Sequence, residues 1–243
     1  MQAEGSFDPR GRVIGLHGIT IACTRDHQAL WIGADLADGL AIELISAFDH
    51  AGPSIDPIAP PPALVPCRRI LETGGRSLRE KAGPNFVFTE DVQFRSELVI
   101  ERSGASTGDG LRTANPGNWH PVEWDELLDG RLGPWAMALD GGRVASICHT
   151  PGPVSARVAE CGVWTHPAFR GRGYAAAVTS AWAAIMRPSG RTLFYSTDAE
   201  NRSSQRVAER LHLRPIGWTW RLGLAPDHED PGIHPLSALR RRG

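Results

Sequence analysis

Lysine is almost absent from this chain of 243 residues: Lys81 is the only one, and arginine carries the rest of the positive charge. That bias reads as codon usage rather than function. With 26 basic and 27 acidic residues the formal net charge is -1. No general attraction to nucleic acid or to an anionic membrane follows from such a balance. Cysteine is scarce and unpaired in spacing. Cys23, Cys67, Cys148 and Cys161 form no CxxC pair, and neither Cys148-His149 nor Cys161 with His166 fits a common zinc pattern. Free thiols and no metal are expected. No apolar run approaches the ~20 residues that a membrane-spanning helix needs, and the first residues lack the pattern of a secretory signal. The expectation is a cytoplasmic protein with neither membrane nor nucleic acid as partner. Hydrophobic and charged shares of 41% and 22% are ordinary for a globular chain, long enough for one large domain or two small ones.

The chain is patterned unevenly. Ala34–His50 carries Leu36, Leu40, Leu44 and Ile45 as a helical stripe, closed by Gly52-Pro53. Ile58–Pro66 is crowded with proline and reads as a loop. Leu64–Ala82 reads as a second helix interrupted by Gly74-Gly75, with Asn85–Thr89 and Glu97–Arg102 as short strands. The small, polar stretch Ser103–Gly110 is the best boundary, giving an N-terminal region 1–108 and a domain 109–243. Because the stripe and Phe48 need a partner surface, the first region is expected to pack on the second and wall one side of a binding cleft.

Beyond the boundary the pattern sharpens. Trp135–Leu139 and Val144–Cys148 are apolar runs joined by Asp140-Gly141-Gly142-Arg143, a turn able to supply the positive φ values of a tight hairpin. Arg157–Thr165 predicts a third strand and Gly173–Arg187 an alanine-rich helix, stopped by Pro188-Ser189-Gly190. Arg191–Thr197, Asn201–Leu211 and Ile216–Leu224 follow as strand, helix and strand. The order indicates an α/β domain with a mixed sheet, and the tail ending in Arg240-Arg241-Arg242 reads as a solvated terminus. Seven tryptophans, Trp119 to Trp220, fall in this part. They read chiefly as core packing, with an aromatic wall for a ligand as the sharper alternative.

The chemistry-bearing segment is Glu160-Cys161-Gly162-Val163-Trp164-Thr165-His166-Pro167-Ala168-Phe169-Arg170-Gly171-Arg172-Gly173-Tyr174-Ala175. A strand enters a glycine turn that opens a helix. Glycines let backbone amides approach a ligand, and the helix start adds unpaired N–H groups and a dipole favouring negative charge. An anion cradle suited to a pyrophosphate results, although plain helix–strand packing produces the same glycines. Gly171, Gly173 and Ala176 also satisfy the relaxed dinucleotide form GxGxxA, but His166 to Arg170 intervene after the strand, which argues against it. The absence of a Gly-Lys-Ser/Thr sequence excludes a Walker A loop.

Arg170-Gly171-Arg172-Gly173-Tyr174-Ala175 resembles the cofactor signature Arg/Gln-x-x-Gly-x-Gly/Ala of the GNAT superfamily of acyl-CoA-dependent N-acyltransferases. A second element, Asn201-Arg202-Ser203-Ser204 followed by Leu211-His212-Leu213, is similar to the family's later helix and its Leu-Gly-Phe-like end, with His212 in place of the usual glycine. The likeness covers about Gly110–Leu224, leaving the first region as an α/β extension of a kind that some bacterial members carry. It implies a mixed, mostly antiparallel sheet flanked by helices, acetyl-CoA as co-substrate, and a small-molecule or peptide amine as acceptor. A homo-oligomer stays open.

The resemblance also implies site residues. Backbone groups of Val163, Trp164 and Thr165 would pair with the pantetheine arm. Amides of Gly171, Arg172, Gly173, Tyr174, Ala175 and Ala176 would hold the pyrophosphate, with Arg170 and Arg172 adding charge. Asn201 and Ser204 would touch the pantetheine or adenosine end. Attack on a thioester needs a neutral amine, so a nearby carboxylate or histidine must accept a proton. Glu160, on the strand entering the loop, is the candidate base, with an arginine ion pair as its structural alternative; His149 and His166 titrate in a useful range but suit structural roles better. Many family members protonate the leaving thiolate with a helix tyrosine, whose position here is Ala208. Ser203, Ser204, Tyr195 or water must substitute, or the thiolate leaves without a dedicated acid, as its modest basicity permits. The missing tyrosine keeps a non-catalytic acyl-CoA sensor open as the alternative.

Overall fold

A computed structural model describes residues 7–73, 75–94, 96–104, 109–151 and 156–224. Part of the expected boundary stretch and the arginine tail lie outside these residues. In chain order the elements are β1 (Gly18–Cys23), β2 (Gln28–Ile32), α1 (Asp38–Ala51), α2 (Leu64–Glu72), β3 (Leu78–Val87), β4 (Ile100–Arg102) and α3 (Pro121–Leu128). Then come β5 (Trp135–Asp140), β6 (Arg143–His149), β7 (Val158–Glu160), β8 (Gly162–Thr165), α4 (Tyr174–Met186), β9 (Thr192–Ser196), α5 (Arg202–Arg210) and β10 (Arg214–Leu224). The pairing is mostly antiparallel with helices alongside, the α/β architecture expected.

Two compact units divide the chain. Among the described residues, the first holds Phe7–Asn85, Ser196–Asn201 and Pro215–Leu224; the second holds Phe86–Tyr195 and Arg202–Arg214. In the first, the strand order is β2-β1-β10-β3. β1 pairs antiparallel with β10 from Gly18↔Gly223 to Cys23↔Trp218. Ile19 and Ile21 of β1, Leu44 of α1 and Cys67 and Leu71 of α2 form a fully buried core. The buried face of α1 is Leu40, Ala41, Leu44, Ala47 and Phe48, spaced as a helical stripe requires. Ile45, expected on that face, is exposed. The second helix stops at Glu72 with Thr73 as its cap, and Leu78–Val87 is strand, so the helix does not continue past this point as expected.

The second unit is built on the sheet β4-β5-β6-β8. β5 and β6 form the expected hairpin, pairing down to Asp140↔Arg143, with Gly141 and Gly142 at φ 57 and 76. Positive φ at both central residues matches the strand twist, as a two-residue turn requires. α4 covers one sheet face, where Val178, Trp182, Ala183 and Met186 meet Ala136, Ala138, Ala145 and Cys148. On the other face lie Trp124, Leu127 and Leu128 of α3 against Trp135, Met137, Val144 and Ile147. The expected division at 108/109 falls inside this unit. Phe86, Phe88, Val92, Phe94, Leu98 and Ile100 pack into its core, and Ile100 pairs with Ala138.

The predicted strand Arg157–Thr165 is two strands. Val158–Glu160 pairs parallel with β9, ending at Glu160↔Phe194, and the Cys161 amide then donates to the Phe194 carbonyl at 3.1 Å. From Gly162 the chain changes partner and pairs antiparallel with β6, from His149↔Gly162 to Ser146↔Thr165. Cys161 is the pivot.

Candidate functional site

Changing partner at Cys161 opens a fork. β8 is the last strand of its sheet and β7 the last of its own order, so neither continues the other's ladder. An edge strand offers backbone donors and acceptors to an extended ligand as it would to another strand. Two carbonyls of β8 are already used: Ser146 Oγ donates to Trp164 O at 2.8 Å, and Arg170 Nε donates to Thr165 O at 3.3 Å. The predicted pantetheine contacts Val163, Trp164 and Thr165 all lie on this strand, each half-buried.

Below the fork the chain runs through His166 and a short turn at Pro167–Phe169 into the glycine loop. Gly171 and Gly173 have φ of 80 and 87, a region that side-chain-bearing residues rarely adopt. Gly173 is the N-cap of α4, and the first backbone bond into that helix runs from the Ala177 amide to the Gly173 carbonyl at 3.1 Å. The helix therefore supplies no acceptor for the amides of Tyr174, Ala175 and Ala176. A Cβ at Gly171 would meet nothing within 4 Å, so the space beside the loop is open. Free amides, open space and the positive end of a thirteen-residue helix fit a pyrophosphate. All six predicted loop residues, Gly171 to Ala176, lie together here.

The hairpin turn braces this loop, which spacing alone does not foretell. The Tyr174 hydroxyl donates to Asp140 Oδ2 at 2.6 Å, and that bond holds the phenol's pKa above its ordinary value. Arg172 reaches the same carboxylate at 3.7 Å. Arg143 and Arg172 also stack on Phe169, at 5.5 and 5.7 Å from its ring centre. Arg143 further contacts His166 Nε2 at 3.3 Å, while His166 Nδ1 accepts from the Ala168 amide at 3.2 Å. His166 is thus engaged as a turn cap. Arg170 is exposed and tied to Thr165.

Glu160 lies at the end of β7, exposed, immediately before the pivot. Asn201 directly precedes α5 and Ser204 lies in its first turn, half-buried. Ala208 is fully buried one turn further along. His149 packs inside the second unit, its ring 5.1 Å from that of Trp119. Among the described residues no group of three or more His, Cys, Asp or Glu is arranged to hold a metal, and no helix is long and apolar enough to cross a membrane.

Residues 110–214 match the family model of the acetyltransferase (GNAT) domain. No curated protein matches the chain. Among solved structures, a GNAT-family protein from Novosphingobium aromaticivorans is 24% identical, covering 70% of this chain and 71% of its own, with a TM-score of 0.46. A GNAT-family acetyltransferase from Colwellia psychrerythraea is 9% identical, covering 81% and 76%, with a TM-score of 0.50. An aminoglycoside N-acetyltransferase solved in complex with CoA is 20% identical, covering 46% and 89%, with a TM-score of 0.36. At such identities the likeness concerns the fold. The matched stretch, residues 110–214, contains both the fork and the glycine loop, and it is this part of the chain that is similar to the GNAT acetyltransferase domain.

Proposed function

We propose that the chain is an acyl-CoA-dependent N-acyltransferase that moves an acetyl group from acetyl-CoA to a primary amine by direct transfer in a ternary complex. One observation carries the reading: a strand that changes partner at Cys161 and, on leaving the fork, runs into a positive-φ glycine loop capping a helix with unpaired amides. The fork suits an extended pantetheine arm and the loop suits its pyrophosphate. Val163, Trp164 and Thr165 are assigned to the first, Gly171 to Ala176 with Arg170 and Arg172 to the second. Asn201 and Ser204 are assigned to the more distant part of the same molecule.

The chemistry follows from charge. A primary amine with a pKa near 10.4 is free in only about 4 parts in 10⁴ at pH 7, so a base beside the acceptor raises the reactive population. Glu160, exposed at the mouth of the fork, is assigned that task. The amine nitrogen forms a bond to the acyl carbon, the carbon–sulfur bond breaks, and the amine proton passes to the carboxylate. Amides of β8 near Val163 stabilise the oxyanion that forms between these events. The acceptor class is a small-molecule or peptide amine.

Two measurements test the reading. Thiol release from acetyl-CoA in the presence of an amine library is expected, with dependence on a particular amine. Calorimetry with CoA should show a one-to-one complex. Binding of CoA without thiol release for any amine would instead favour an acyl-CoA sensor, and absence of CoA binding would overturn the proposal.

A further inference from the structure

The turn beside the glycine loop contains a contact that the protein's own groups leave unresolved. His166 Nδ1 accepts the Ala168 amide at 3.2 Å, and Arg143 Nη2 lies 3.3 Å from His166 Nε2. A neutral imidazole has one acceptor nitrogen, because the other carries the proton. The Ala168 bond caps the turn Pro167–Phe169, which fixes the acceptor at Nδ1 and puts the proton on Nε2. Nε2–H and the guanidinium are then two donors facing each other. An acceptor placed between them resolves the contact, and beside a guanidinium an anion does so best. The surroundings carry positive charge to match. Arg143 and Arg172 both stack on Phe169, a buried ring that His166 and Tyr174 approach at 5.4 and 5.9 Å. Stacking fixes a guanidinium and leaves its N–H edge available. Among the described residues no carboxylate pairs with Arg143. Asp140 stands next to the group, but its Oδ2 is taken by the Tyr174 hydroxyl at 2.6 Å, and Arg172 reaches that oxygen only at 3.7 Å. One carboxylate therefore faces two guanidinium groups.

Resting on the acyltransferase reading, we propose that Arg143 and His166 Nε2–H form a second anion site, which takes the 3′-phosphate of the coenzyme, with Arg172 between that site and the pyrophosphate. The ribose of CoA carries the pyrophosphate on one carbon and a phosphate monoester on another. A cationic group flanking the pyrophosphate cradle is therefore where the monoester arrives. A phosphate monoester brings about −1.5 to −2 charges at neutral pH and three strong acceptor oxygens. One oxygen accepts from Nε2–H and another from the Arg143 fork, so the two donors cease to oppose each other. The site comes from the β5–β6 hairpin, where Arg143 pairs with Asp140, and from the turn before the glycine loop. It is thus separate from the amides of Gly171 to Ala176. Its consequence is selectivity: the protein distinguishes CoA from 3′-dephospho-CoA, which has the same pantetheine arm, pyrophosphate and base.

Calorimetry with CoA and with 3′-dephospho-CoA tests the site. The native protein should bind CoA about tenfold or more tightly than the dephospho form, the usual worth of a charge-assisted hydrogen bond. Arg143→Gln should bring CoA affinity down to that of dephospho-CoA and leave dephospho-CoA affinity unchanged. Arg143→Lys keeps the charge but loses the fork, so it should recover part of the preference. In nuclear magnetic resonance spectra, the His166 imidazole nitrogens should show the Nε2-protonated form in the free protein. The Nε2 resonance should then move on addition of CoA and stay in place with dephospho-CoA. Equal native affinities for the two molecules overturn the proposal and leave the acyltransferase reading standing. An Arg143→Gln loss that is equal for both also overturns it, since Arg143 would then serve the pyrophosphate. Binding of neither molecule overturns the acyltransferase reading and this site with it, so the two failures are distinguishable. Should Arg143→Gln not fold, the native preference and the His166 resonances decide.

Discussion

The glycine loop is best tested at Gly173, because two substitutions there separate backbone strain from charge. Gly173 sits at φ 87 and ψ -3, and a Cβ added to it would lie 3.7 Å from Phe94 Cζ, an ordinary contact. Gly173→Ala therefore meets no clash and costs only the left-handed backbone, about 1–2 kcal/mol of stability. Gly173→Glu adds the same strain plus a carboxylate at the start of α4. Two unit charges about 6 Å apart in water repel by about 0.7 kcal/mol, so a pyrophosphate carrying two charges loses about 1.4 kcal/mol, a factor of ten in Kd. Partial exclusion of water would enlarge that figure. The assay is calorimetric titration with CoA at two salt concentrations, beside thermal melting of both variants. The alanine variant should melt lower but bind CoA within a few-fold of native. The glutamate variant should bind at least tenfold more weakly, with the deficit shrinking at high salt as screening requires. A folded Gly173→Glu protein with native CoA affinity would show that the pyrophosphate does not sit at Gly171–Ala176.

Glu160→Gln should leave CoA affinity intact and lower kcat roughly 10²-fold near neutral pH, with activity partly restored at high pH where free amine forms unaided; a pH–rate profile superimposable on the native one would make Glu160 structural. Removing residues 1–108 should abolish cooperative unfolding by circular dichroism, because it strips Phe86, Phe88, Val92, Phe94, Leu98 and Ile100 from the second unit's core. Only Val92 is fully buried and the other five are partly so; at roughly 1 kcal/mol each the loss is still about half of a typical domain's stability, and a native-like Tm would refute it. Burial pushes the Cys67 thiol from an ordinary 9.0 up to about 11. A folded-state pKa above the unfolded one stabilises below the unfolded value and is lost as pH rises through the folded one. Stability measured in urea should therefore decline from about pH 9 to pH 11, and less steeply in Cys67→Ala.

What could be read in the sequence was local. The β5–β6 hairpin was legible because Asp140-Gly141-Gly142-Arg143 specifies its own turn, and the loop at Gly171–Gly173 because only glycine takes the φ found there. The boundary 108/109 was drawn from a small, polar composition, which describes a stretch of chain but not where the chain returns. β1 gave no alternating signal because its residues are buried on both faces. Ile45 fits the apolar stripe of α1 as a residue type, yet which edge of the stripe is covered depends on its packing partners. α3 did carry a start signal, Pro121 at the first position with Trp124, Leu127 and Leu128 spaced for one face. The contact between Tyr174 and Asp140 joins residues far apart in sequence and has no local signature.

The division of Arg157–Thr165 into two strands shows why the most consequential feature was the least legible. A strand that changes neighbours looks like one continuous strand in sequence, because propensity concerns the residues and not their partners. Only Gly162 hinted at irregularity. Had the strand continued in one ladder, its backbone groups would be satisfied by protein and nothing would remain for an extended ligand. Splitting it leaves β8 with a free edge, which is otherwise a hazard, since exposed edges recruit other strands. Two features blunt that hazard here. β8 is only four residues long, and the Trp164 and Thr165 carbonyls are already taken by Ser146 and Arg170. What is left is too short to template a foreign strand, but long enough for the slender pantetheine arm proposed above, whose pyrophosphate end is assigned to the α4 N-terminus. On the reading proposed above, anchoring by charge and threading by backbone fix the acyl group at the pivot, beside Glu160.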